Sequence, residues 1–429
     1  MDAYISDYRL KELWQEYIRN TPGDREFFKS QYGCGHGIVR IQRVTTGVAI
    51  MSNGEDSKLF GVMTCNNAWS CPVCSAKVMA RYAGQIACAI DLCDKWFNEY
   101  GFMMTFCVPH IAKYRCEQTY KILDQTWKLF YHHGNKVGSN RNDVFSQFNA
   151  EMNCVRRIRV CEFTWGRNGW HPHFHCIFFV PKHKLQQVAD WQQRFAERWL
   201  QCAKLASKKL FKQTTMKHPE KFVDHVFNHA KQDATSMAHI SMTETGKVAR
   251  AMLSDYICGW GADKELTGNY RKEASHKGHY TPFQMIQMAY DAKQKNDPAA
   301  EKWLSLYREY AKTTFKKPRM RMTRGMQKLI EDWRQTNDYI ESLKKKFIEN
   351  QAKGAAAKPW KMVIWFTSEQ WYSILSSKIK VSDLLVMAKD VDGKKIIEDF
   401  LLEHNIDVRG NPEHMQKQLI ESLYIKSVA

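Results

Sequence analysis

Three histidines alternate through the segment Trp170-His171-Pro172-His173-Phe174-His175-Cys176-Ile177-Phe178-Phe179-Val180. An extended strand turns successive side chains to opposite faces. The pattern therefore predicts a strand with His171, His173 and His175 on one face and Phe174, Cys176 and Phe178 on the other. A single histidine in a strand is usually a structural ring. Three in alternation, in a chain with 16 histidines among 429 residues, point instead to metal binding or catalysis, because imidazole is the commonest metal ligand near neutral pH.

The residues before this segment supply a partner strand. Residues 155–165 read as a strand, and Gly166-Arg167-Asn168-Gly169 reads as a hairpin turn on its Asn-Gly pair. The partner strand holds one carboxylate, Glu162. Folding back at 167–169 brings Glu162 level with His173. A slip of one residue would turn it to the other face, and a bulge at Pro172 could restore it. Two imidazoles and one carboxylate with open positions suit Mg²⁺ or Mn²⁺ holding a phosphate oxygen. His171 and His110 are alternative ligands, and His171 is also a candidate for orienting a ligand or substrate.

A second cluster lies upstream. Cys65-Asn66-Asn67-Ala68-Trp69-Ser70-Cys71-Pro72-Val73-Cys74 contains a C-x2-C knuckle and a third cysteine six residues before it. Tetrahedral Zn²⁺ takes four such ligands. Cys34 is the candidate fourth ligand and His36 its rival. A closed four-thiolate site leaves no open position, so this zinc would be structural.

Composition limits the partners. The chain carries a formal charge of +19, a surplus that points to nucleic acid. No apolar run is long enough to span a bilayer, and the N-terminus does not read as a secretory signal. Thirteen cysteines without such a signal suggest a reducing cytoplasm. The order of strands and helices between 86 and 290 implies an α+β domain with an antiparallel sheet. Helices are expected over 76–100, 117–133, 184–206 and 246–260, and further strands over 102–110 and 238–242. A polar loop is expected over 207–235. The expected organisation is an N-terminal helix and Cys-rich region (1–85), a catalytic domain (86–290), a basic helical extension (291–353) and a C-terminal helical module (354–429). Residues 316–324 are a candidate DNA contact.

The segment GRNGWHPHFHCIFFV, preceded by Glu162, resembles the second motif of the HUH single-strand endonucleases, with its best match among the rolling-circle replication initiators of small plasmids. MMTFCVPH at 103–110 is similar to their first motif, and Ser254-Asp255-Tyr256-Ile257-Cys258-Gly259-Trp260 to their third. The third continues through Lys264-Glu265 and Tyr280-Thr281-Pro282-Phe283-Gln284. The CNNAWSCPVC knuckle occupies the same place upstream. The resemblance spans roughly residues 30–330. It implies an HUH-type nuclease fold, with a central antiparallel sheet flanked by helices. Glu162, His173 and His175 would hold the ion. Tyr256 would be the nucleophile, forming a 5′-phosphotyrosine and freeing a 3′-OH. Its partners would be origin DNA, a host helicase and a DNA polymerase. The chain itself has no P-loop.

One departure concerns termination. Some relatives carry a second tyrosine four residues on, where this chain has Trp260, or a glutamate four residues before, where it has Met252. Asp263 and Glu265 are candidate bases for that step, a second subunit in a homodimer is another route, and Lys264 is a candidate phosphate contact. A transposase or a mobilisation relaxase would share this chemistry. A non-catalytic, zinc-containing DNA-binding regulator is the reading from a different class.

Overall fold

The computed structural model describes residues 3–41, 44–45, 47–131, 144–212, 218–229, 234–243, 278–342, 344, 359–377 and 379–411. Tyr256, Asp263, Lys264 and Glu265 lie outside the described residues. So does the helix expected over 246–260.

In chain order the elements that matter here begin with α1 (Ala3–Asn20), β1 (Val48–Ser52), β2 (Ser57–Phe60), α2 (Pro72–Phe97) and β3 (Glu99–Cys107). Next come α3 (Cys116–Tyr131), α4 (Val144–Met152), β4 (Arg156–Gly166), β5 (Gly169–Pro181), α5 (Gln192–Lys212), α6 (Pro219–His229) and β6 (Ala238–Thr243). The last are α7 (Pro282–Gln294), α8 (Ala299–Thr314), β7 (Met320–Met322), α9 (Met326–Arg334), β8 (Lys361–Phe366), α10 (Ser368–Ser376), α11 (Val381–Met387) and α12 (Gly393–Glu403). The fold is α+β, and every strand pair is antiparallel. No helix among the described residues is long and apolar enough to cross a membrane.

Two compact units emerge: Met1–Val78 with Lys346–Ala429, and Met79–Lys345. In the first, β8 pairs with β1 and β1 with β2. Val48, Ile50, Ile364 and Phe366 project from this sheet into a core with Trp371, Ile374, Leu384, Leu385, Ile397 and Leu401. Glu12 of α1 joins α11, accepting from the Ser382 amide at 3.1 Å and hydroxyl at 2.7 Å. The N-terminal and C-terminal segments, expected as separate regions, therefore share one sheet and one core. The reason is β8: its apolar run finds a partner strand some 300 residues upstream, and spacing along the chain carries no trace of that pairing.

The second unit is built on a five-stranded sheet in the order β6-β3-β5-β4-β7. One face carries Phe102, Phe106, Phe174 and Phe178. They meet Trp127 and Phe130 of α3, Phe148 of α4, and Phe195 and Trp199 of α5 in edge-on and tilted ring contacts. Burying rings of this size contributes on the order of 2–3 kcal/mol each. Trp199 also donates its indole N–H to the Cys107 carbonyl at 2.7 Å. On the other face Met103, Ile158, Val160, Ile177 and Phe179 pack against Ile86, Ala89 and Ile90 of α2 and against Met326, Ile330 and Trp333 of α9.

The polar loop expected over 207–235 is in part helical. The α5 helix continues to Lys212, and α6 follows. The Lys- and His-rich composition hides Val223, Val226 and Phe227, which are buried at helical spacing. The basic stretch at 316–324 contributes β7, an edge strand on β4, so it belongs to the same sheet as the histidines.

Candidate metal centres

The hairpin fixes the first site. The β4–β5 ladder runs unbroken from Arg156↔Phe179 to Gly166↔Gly169, with no shift at Pro172, and places Glu162 directly opposite His173. Residues directly opposite share a face. Gly169 alone of the turn residues has positive φ, at 86°. The turn is thus of the kind that ends on a left-handed glycine, rather than one with two left-handed central residues. A Cβ at Gly169 would also meet Ala112 Cα at 3.0 Å, so glycine is required here twice over.

Glu162 Oε2 lies 3.4 Å from His173 Nε2 and 3.4 Å from His175 Nε2. All three groups are buried or nearly so, with Glu162 8% and His175 3% exposed, and their ligand atoms lie within 4.8 Å of one another. The other ring nitrogens are occupied. His173 Nδ1–H donates to the His171 carbonyl at 3.4 Å, and His175 Nδ1 bonds Thr105 Oγ1 at 3.0 Å. A carbonyl only accepts, so Nδ1 is the donor here, and a His173 ring with its single proton there would turn a bare Nε2 toward Glu162. Lone pairs and a carboxylate oxygen aimed at one point need positive charge between them. Two ligands each about 2.1 Å from one ion stand about 3.0–3.4 Å apart. The donor set fits a divalent ion, and it is of the mixed nitrogen–oxygen kind that leaves positions open.

His171 and His110 stand beside this trio, not in it. Their rings stack with centroids 4.9 Å apart. His110 donates from Nδ1 to the Val108 carbonyl at 3.3 Å. Burial lowers the His110 pKa; it drives that of His171 well below the ordinary range, helped by His173 and His110. Thr105, the neighbour of a candidate ligand, is a residue that sequence reasoning missed. It pairs with His175 across β3 and β5, and only the strand order reveals that adjacency. His239, on β6 opposite Thr105, extends the same row and was missed for the same reason.

The second site lies in the other unit. Cys34, Cys65, Cys71 and Cys74 converge, with all four sulfurs within 4.8 Å. Cys34 Sγ is 3.5 Å from Cys74 Sγ and 3.7 Å from Cys71 Sγ. Those distances exclude a disulfide of about 2.05 Å and approach the roughly 3.8 Å between thiolates that each lie about 2.3 Å from one zinc. Cys71 and Cys74 sit at the start of α2, where the helix N-terminus favours negative charge. Asn67 shapes the knuckle by accepting from the Trp69 and Ser70 amides at 2.8 and 2.7 Å. Lys11 and Gln15 hold the Cys34 carbonyl. Hydrogen bonding among the thiols pushes the Cys34 pKa far down and the Cys65 and Cys71 pKa values up; four thiolates this close would repel one another, and a cation among them would offset that repulsion. His36 is not in the cluster. It packs edge-on against Tyr32 at 5.7 Å, and burial with the Lys11 charge lowers its pKa to about 4.

Two curated proteins are similar to part of this chain. The "Protein rep" of Streptomyces lividans is 28% identical over 144 residues, covering 29% of this chain and 31% of its own length. The "Neomycin resistance protein" of Streptomyces cyanogenus is 27% identical over 139 residues, covering 28% of this chain and 31% of its own length. The match thus spans less than a third of either relative. No family model and no solved structure matches the chain.

Proposed function

We propose that this protein is a plasmid replication initiator of the HUH type: a metal-dependent endonuclease that nicks and rejoins single-stranded DNA. The observation that carries the reading is the convergence of Glu162, His173 and His175 on one point, with both imidazoles turned to it by Thr105 and the His171 carbonyl. The partial similarity to a protein named for replication supports it. A divalent ion on these three residues would grip a non-bridging phosphate oxygen and make the phosphorus more electrophilic.

Tyr256, matched by its motif, would supply the nucleophile. Tyrosine has an ordinary pKa near 10, so its hydroxyl attacks only a phosphate that is already polarised. Its oxygen bonds to phosphorus as the bond to the 3′ oxygen breaks. The phenolic proton leaves, the departing 3′ oxygen takes one up, and the products are a 5′-phosphotyrosine and a 3′-OH. The ester conserves the phosphodiester energy, so the reverse attack reseals the strand without ATP, and the 3′-OH can prime synthesis. Phosphate contacts from the basic surface would make DNA affinity fall steeply with salt. Asp263 or Glu265 would act as base at termination, and Lys264 would contact phosphate.

The test is a denaturing gel of protein incubated with labelled single-stranded origin oligonucleotides and Mn²⁺. A covalent adduct is expected, absent in Tyr256→Phe, in Glu162→Ala and with chelator. An adduct that persists in Tyr256→Phe moves the nucleophile elsewhere. Failure to cleave any origin-derived strand would favour a DNA-binding regulator.

A further inference from the structure

Three large aromatic rings gather at the hairpin end of β4. Trp165 and Tyr280 have centroids 6.3 Å apart, Tyr280 and Trp303 5.1 Å, and Trp165 and Trp303 5.9 Å. In the same unit Trp170 and Trp199 are sealed in, at 2% and 0% exposed, and Trp96 stands open at 42%. The three clustered rings are each only half-buried. The cluster is nonetheless held firmly. Trp165 N–H donates to the Tyr280 carbonyl at 2.9 Å, and Tyr280 N–H returns the bond at 2.8 Å. Thr281 and Gln284 cap α7 directly after Tyr280, and Trp303 stands on α8.

Charge and place say what these rings face. The exposed Lys302 holds its ammonium 5.8 Å from the Trp165 ring and 5.6 Å from the Trp303 ring, in a chain of formal charge +19. Trp165 lies three residues along β4 from Glu162, an odd spacing that turns the two side chains to opposite faces of the sheet. His279, next to Tyr280, packs close to Gly166, where a Cβ would meet its ring at 3.1 Å.

We infer that Trp165, Tyr280 and Trp303, with Lys302, form a base-stacking platform for single-stranded DNA at the hairpin end of the sheet, on the face opposite the histidines. Flat rings of every base stack on aromatic side chains, which makes such a platform tolerant of sequence, and a cation beside it holds the backbone. A paired duplex keeps its base faces covered, so the platform selects unpaired strands. The inference takes its ligand from the function proposed above, but it concerns binding and not cleavage.

The test is affinity for a fluorescent oligothymidylate, measured by anisotropy with the whole protein in EDTA, so that nicking plays no part. Trp303→Ala should weaken binding about tenfold, Trp303→Phe should retain most of it, and duplex binding should change little. Photo-crosslinking of a 5-iodouracil oligonucleotide to the wild-type protein should map to Trp165, Tyr280 or Trp303; this arm needs no variant to fold. Unchanged affinity in both Trp303→Ala and Tyr280→Ala, equal loss for duplex and single strands, or crosslinks wholly elsewhere would overturn the inference. Ring-dependent binding with no covalent adduct would sink the nuclease reading and leave the platform standing.

Discussion

Thr105→Val is the sharpest probe of the histidine site, because it changes almost no volume and removes one hydroxyl. Thr105 Oγ1 lies 3.0 Å from His175 Nδ1, on a ring that is 3% exposed, so water cannot easily take its place. If His175 uses Nε2 as a ligand, Nδ1 carries the proton and donates it to Thr105. Valine leaves that N–H buried without a partner, at a cost of about 1–3 kcal/mol. Part of the cost falls on the fold and part on the site, because the ring is free to turn or to adopt the other tautomer. Removing such an orienting bond usually weakens a metal site by about 10–100-fold. Titration with Mn²⁺, followed by calorimetry or by the loss of the free-ion electron paramagnetic signal, should show that drop in Thr105→Val. Thr105→Ser, which keeps the hydroxyl, should stay within about threefold of wild type. An unchanged Mn²⁺ affinity in Thr105→Val would refute the claim that this bond sets the ligand geometry, and equal losses in both variants would trace the effect to packing.

Three further outcomes are expected. Metal analysis should find one tightly held zinc that is lost in Cys71→Ala and retained in His173→Ala; loss in both would merge the two sites. Burial raises the Glu12 carboxyl above its ordinary value near 4.5, against the hydrogen bonds from Ser382. Its contribution to stability is thus full below that value and fades as pH rises through the raised one. In Glu12→Gln the fall in Tm between pH 4.5 and 7 should shrink, by on the order of 2 °C, and an unaltered pH profile would exclude Glu12 as its source. Trp170→Phe removes the indole bond to Glu309 Oε2 at 3.0 Å and should cost about 1.5–3 kcal/mol in denaturant unfolding. No change would mean that Glu309 finds another donor.

The parts of this molecule that were legible in advance are those set by local pattern. Alternation placed the three histidines on one face, and a four-residue turn was enough to bring Glu162 level with His173, because a hairpin couples register to its loop. The cysteine knuckle was readable for the same reason: two of its ligands are neighbours on one helical turn. Most of the readings that changed involve distant pairing. The β8 strand joins β1 across most of the chain, so the C-terminal segment looked like a free helical module. Thr105 is 70 residues from His175 and becomes visible only once β3 is known to flank β5. The α6 helix was hidden by composition, since its buried Val223, Val226 and Phe227 are diluted by lysine and histidine.

Pro172 shows why the histidines could be placed where they are. A proline in a central strand forfeits a ladder hydrogen bond and is normally confined to edges. The β3–β5 ladder ends at Cys107↔His173, so among the described residues β5 from Pro172 outward is paired only with β4 and behaves as an edge. The same termination keeps the outer part of the strand clear of a second neighbour, while Met103, Ile158 and Ile177 further in are sealed by α2 and α9. His175 and His173 therefore sit at the boundary between a strand paired on both sides and one paired on one side. That position gives them rigid backbones and, for His175, a neighbouring side chain to orient its ring. A metal site one pair deeper, at Ile177, would keep the rigidity and lie among the apolar side chains of α2 and α9.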